Sequence, residues 1–77
     1  MHPECPECQR LWREYAAATT EHVQVDNELR LAALKGDQKQ IKMLIPRLAD
    51  AEAARNRLRE AVRRHEEAAH RKAARAE

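Results

Sequence analysis

Leu34-Lys35-Gly36-Asp37-Gln38-Lys39-Gln40, close to the midpoint of the 77-residue chain, decides how the rest is read. Gly36 is the sequence's single glycine, and glycine takes the left-handed conformation that closes a helix. Lys35 puts a cation in the last turn before it. Asp37 has the short, oxygen-bearing side chain of an N-cap, and Gln40 stands three positions on as its capping-box partner. The stretch therefore ends one helix and begins another. A connection as short as residues 36–37 makes the two helices antiparallel neighbours.

On the amino-terminal side, positions 9–35 hold no proline or glycine. Leu11, Tyr15, Ala18, His22, Val25, Leu29 and Ala32 recur there in alternating steps of four and three, the repeat of a helix packed along a narrow seam. This predicts a first helix over 9–35, preceded by a cysteine knuckle at 1–8. On the other side Ile41, Leu44, Leu48, Ala51, Arg55, Leu58, Val62, His65 and Ala69 keep the same alternation. They predict a second helix over 38–70, with 71–77 as a fraying tail. Pro46 removes a backbone donor and clashes with the carbonyl of Lys42, so a kink is expected there; the alternative is a separate short helix over 38–45. Facing residues should have numbers summing to about 73 in such a pairing: Leu29 with Leu44, Val25 with Leu48, His22 with Ala51, Ala18 with Arg55, Tyr15 with Leu58. The expected fold class is all-α, a coiled-coil-like antiparallel two-helix hairpin forming a single domain over 1–77.

The material for a core is thin. Fifteen of the hydrophobic residues are alanine, and without Met1 and the two cysteines only fifteen larger apolar side chains remain. Chains this short usually lean on a metal, a disulfide or a partner subunit. Near the turn, Leu31, Ala33 and Leu34 on one helix and Met43 and Ile45 on the other lie off the seam. Trp12, Ala16, Thr19 and Val23 form a second, weaker stripe. Exposed apolar surface of this kind marks association, so the expectation is a homodimer in which two hairpins pair into a four-helix bundle. The alternative is a monomer with 38–45 folded across the hairpin's end. His22 and Arg55 fall on the seam, where polar groups fix register at some expense in stability.

Fifteen basic against thirteen acidic residues leave a net charge of +2. Residues 1–36 carry four basic and six acidic groups, and residues 37–77 carry eleven and seven. The basic excess on the second helix permits a nucleic-acid-binding reading through Arg55, Arg57, Arg59, Arg63, Arg64, Arg71 and Arg75. Those arginines do not share one face, and no aromatic residue is at hand for base stacking. The Glu60–Arg64 and Glu67–Arg71 spacings favour helical ion pairs instead. There is no basic segment followed by an apolar run at the amino terminus, and no apolar run of membrane-spanning length. A cytoplasmic protein with no membrane association is expected.

Cys5 and Cys8 precede the first helix in His2-Pro3-Glu4-Cys5-Pro6-Glu7-Cys8. The pairing rule sets them opposite residues 65–68, so His65 and His70 lie at the same open end. Two thiolates and two imidazoles suffice for tetrahedral zinc, and C-x2-C with H-x4-H falls within structural-site spacing. On an ideal helix, however, positions i and i+5 point about 140° apart. His65 and His70 can share a metal only if the last turn loosens, or if His2 replaces one of them. The candidate metal ligands are therefore Cys5, Cys8, His65 and His70, with His2 as substitute. A regulatory disulfide, or free thiols with scattered histidines, are the competing readings.

The Cys5-Pro6-Glu7-Cys8 run resembles the zinc knuckles of ribbon-like proteins and the zinc hook of coiled-coil DNA-repair ATPases. The resemblance implies thiolate ligation of zinc by Cys5 and Cys8 and, from the hook, a zinc shared by cysteine pairs from two chains. The same run is similar to the CPxC of glutaredoxin-like proteins, which implies redox chemistry at the two thiols; those proteins carry it after a strand, and no strand is predicted here.

Enzyme signatures fit poorly. His65-Glu66-Glu67-Ala68-Ala69-His70 lacks the four-residue histidine spacing of metalloprotease helices. Glu67-x-x-His70 matches one element of di-iron bundles, but Glu14, Glu21 and Glu28 fall off the seam. The sequence reads as a non-enzymatic structural or adaptor protein that mediates protein–protein association through a zinc-clamped hairpin.

Overall fold

The computed structural model describes residues 4–70. His2 and the predicted tail at 71–77 lie outside the described residues, as do Arg71 and Arg75. All regular structure among the described residues is helical, in the order α1 (Pro6–Lys35), α2 (Gln38–His65) and a π-helical turn (Glu66–His70). The two long helices fold back on one another as a hairpin 57 Å long and 16 Å across.

The turn forms as its residues dictate. Gly36 has φ 69° and ψ 25°. Its N–H donates to the Ala33 carbonyl at 3.1 Å, and the Asp37 N–H donates to the Ala32 carbonyl at 2.9 Å. These are the two bonds of a Schellman cap, which satisfy carbonyls that the end of α1 would otherwise orphan. Asp37 then opens α2, its Oδ1 accepting the Gln40 backbone N–H at 3.1 Å.

The start of α1 departs from the expected knuckle. The helix begins at Pro6, three residues early, with Cys5 as its N-cap residue. Proline suits a first helical position because its fixed φ is already helical and its missing N–H would have been unpaired there. Cys8 therefore sits within the first turn rather than before the helix. Pro46 does not split the second helix, since α2 runs through it without a break. Pro46 is exposed to solvent, and it offers no N–H to the Lys42 carbonyl.

The seam follows the predicted series. Val25, Ala32 and Leu44 are buried together, with Leu29, Ile41 and Leu48 packed against them; Leu44 is 0% exposed. Burying one such leucine contributes about 2 kcal/mol. Toward the open end Cys8, Leu11, Ala51 and Val62 are also buried. Between the helices Arg47 meets Glu28 at 3.8 Å and Glu21 at 3.9 Å, Cys8 meets Glu66 at 3.9 Å and Cys5 meets His65 at 3.3 Å. The middle of the seam is less comfortable, for Arg55 Nε and Thr19 Oγ1 are buried with no hydrogen-bond partner, as is Trp12 Nε1. Leu31, Leu34, Met43, Ile45 and Val23 stay largely exposed, Leu34 at 85%. No helix among the described residues is long and apolar enough to cross a membrane.

Candidate metal centre

Two elements build the site. The amino end of α1 supplies Cys5, at the N-cap, and Cys8, three residues into the helix and 2% exposed. The end of α2 supplies His65, and the π-helical turn that follows carries His70. Cys5 Sγ lies 3.3 Å from His65 Nε2, and Cys8 Sγ lies 3.3 Å from His70 Nε2. The two imidazoles meet edge to face, their ring centres 5.1 Å apart and inclined at 73°. One ligand atom from each of Cys5, Cys8, His65 and His70 lies within 4.8 Å of the other three. Cys5 and Cys8 form no disulfide.

The π-helical turn removes the geometric obstacle in the sequence. In such a turn the backbone bond joins residues five apart rather than four, which stacks His70 over His65. The seam series placed Ala69 inward. The structure instead exposes Ala69 and half-buries His70, so the extra residue between the histidines is taken up within Glu66–His70.

Electrostatics favour the thiolate at Cys5. Its pKa falls from an ordinary 9.0 to about 6, chiefly through the Cys8 backbone N–H and then through His65 and His70. The Cys8 amide acts on the sulfur from close by without completing a capping hydrogen bond. A helix amino terminus lowers a thiol pKa in the same sense. On the outer face, Arg10 binds Glu7 at 2.7 Å and holds its carboxyl below the usual range, with a smaller contribution from His65.

One participant was not foreseen. Glu66 lies between the histidines in sequence and its Oε1 is 3.9 Å from Cys8 Sγ. Its backbone continues α2, with an N–H that still bonds the Val62 carbonyl, so it falls within the 65–68 stretch set opposite the cysteines, although its residue type drew no notice beside the histidines. Glu14, Glu21, Glu28 and Glu67 are exposed. The arginines of the basic helix are partly neutralised: Arg63 pairs with Glu60 at 2.6 Å and with Glu67 at 3.6 Å, and Arg64 pairs with Glu60 at 3.6 Å. Arg59 binds Asn56 at 3.0 Å, and Arg55 is turned into the seam.

Two sulfur and two nitrogen donors on a single chain, converging from the start of α1 and the end of α2 at the hairpin's open end, form a set that could hold one metal ion. No family model, curated protein or solved structure matches this chain.

Proposed function

We propose that this chain is a non-enzymatic structural or adaptor protein whose open end is clamped by zinc bound to Cys5, Cys8, His65 and His70. The observation that carries the reading is the convergence of those four donors within 4.8 Å. Zinc with sulfur near 2.3 Å and nitrogen near 2.05 Å places neighbouring tetrahedral ligands about 3.3–3.8 Å apart. The two sulfur–nitrogen separations of 3.3 Å stand at the edge of that range. Four protein ligands close the coordination sphere, which is the habit of structural zinc, whereas catalytic zinc keeps a position for water. Metal ligation would then add directly to folding free energy.

In this reading the helices pair antiparallel, α2 bends at Pro46, and two copies associate through the exposed apolar residues into a four-helix bundle. The protein works in the cytoplasm, where thiols stay reduced and available to metal. Elemental analysis of protein purified without chelator tests the clamp: one zinc per chain is expected, and zinc near zero removes it. Sedimentation equilibrium tests the association separately. A mass of one chain at micromolar concentration would leave the clamp standing and remove the bundle.

A further inference from the structure

The turn that completes the cluster has no local cause. Glu66, Glu67, Ala68 and Ala69 include no glycine or proline, and alanine and glutamate are good α-helix formers. Continued α geometry would have been the natural course for these residues. It would also have kept the seam, with Ala69 inward after Val62 and His65. Instead Glu66–His70 is a π-helical turn, Ala69 is exposed, and His70 reaches Cys8 at 3.3 Å. Such turns are rare, short and concentrated at functional sites. The reason for this one lies in the contacts of its last residue.

In an α register, His65 and His70 would point about 140° apart, and the cluster would keep three of its four donors. In the π register it has all four. A ligand that needs the fourth donor binds one register better than the other, and it shifts their populations by that difference in affinity.

We infer that residues 66–70 are a two-register segment in which bound metal shifts the balance toward the π register, where His70 reaches Cys8, and away from the α register that their composition favours. The inference rests on the reading of Cys5, Cys8, His65 and His70 as a metal site. It goes further in making that site a control on the helix that carries it. The device needs no hinge, because the bistable element is a single helical turn with one residue more than the seam requires.

The test uses the whole chain, isotope-labelled, with zinc and after chelation. Cobalt(II) titration reads metal binding on its own. With zinc, nuclear Overhauser contacts should join His65 to His70; after chelation those contacts should weaken and contacts joining His65 to Ala69 should gain intensity, with helical shifts retained. Identical contacts in both states overturn the inference while leaving the metal site intact. A chelated segment with no helical signal also overturns it, because metal would then fold the turn rather than re-register it. If the parent chain takes up neither cobalt nor zinc, the metal reading falls and carries the inference down with it.

Deletion of Ala68 gives an independent check. It leaves the two histidines four apart, the spacing an α-helix stacks unaided. Cobalt affinity should equal or exceed the parent's, and the contact pattern should be α-helical with and without metal. Affinity more than tenfold weaker than the parent's would show that the five-residue spacing is required for some other reason.

Discussion

Removing zinc from the proposed clamp should lower the melting temperature substantially. Metal that binds only the folded chain stabilises it by about 2.7 kcal/mol when free zinc stands at a hundred times its dissociation constant. In a domain of this size each kcal/mol moves the midpoint by about 4–8 °C, so chelation should lower it by about 11–22 °C. Cys8→Ser removes a ligand that is 2% exposed and 3.3 Å from His70. That variant should melt where the chelated parent does and should gain nothing from added zinc. The assay is helical circular dichroism on heating, at one fixed protein concentration so that any association is held constant. Ile41→Val supplies the control, because Ile41 packs at the turn end of a hairpin 57 Å long. It should cost about 0.5–1.5 kcal/mol with and without zinc alike, since distant sites add independently. A parent midpoint that chelation leaves in place would refute the clamp. Loss of the zinc increment in Ile41→Val would refute the assignment of that increment to the open end.

Three further outcomes follow from the backbone and the thiols. Pro46→Ala should raise the urea midpoint, because it restores an N–H to the Lys42 carbonyl inside an unbroken helix; the gain is bounded by the roughly 3 kcal/mol that an interior proline costs. Gly36→Ala should lower stability by about 1 kcal/mol through the left-handed backbone alone, as a Cβ there would meet nothing within 4 Å. Gly36→Asn should fall between the two, and equal midpoints for all three chains would show that the Schellman cap is not under strain. In zinc-free Cys8→Ser protein, which keeps the backbone amide at position 8, alkylation of Cys5 should reach half its maximal rate near pH 6 rather than 9. Because the folded value is the lower one, Cys5 contributes stability that is full above pH 9 and lost as the pH falls through about 6.

The hairpin was legible because its decisive signals are local and rarely ambiguous. One glycine followed by aspartate ends and restarts a helix, and the four–three alternation on both sides fixes which residues meet. From that register Cys5 and Cys8 come opposite His65, which is why the clustering of Cys5, Cys8, His65 and His70 is legible in the sequence. The beginning of α1 was misread for a chemical reason, since the paired cysteines suggested a knuckle while Pro6 obeys the rules for a first helical residue. The π-helical turn was legible only as a conflict, in the 140° between His65 and His70. No residue between them encodes it, so it could not be placed from periodicity.

The distribution of weak points along the seam explains why a clamp belongs where these donors converge. The peptide chain itself ties the helices together at Gly36–Asp37, and the largest buried cluster, Val25, Ala32 and Leu44, lies beside that tie. Moving away from it, the seam passes Ala18 and Ala51, which are small, and Arg55, whose buried Nε lacks a partner. Each step adds chain that must be held in register while contributing less apolar area to hold it, so separation of the helices is easiest from the end farthest from the turn. Cys8, Leu11 and Val62 bury surface there, yet they lie beyond the polar middle and cannot rely on it. A bond between the two ends reverses the order of strength, because the middle of the seam is then bounded by a covalent turn on one side and metal ligation on the other. A long hairpin with a polar centre would gain most from a bond placed at that end. The sulfur and imidazole groups of Cys5, Cys8, His65 and His70 stand at the one place where they can supply it.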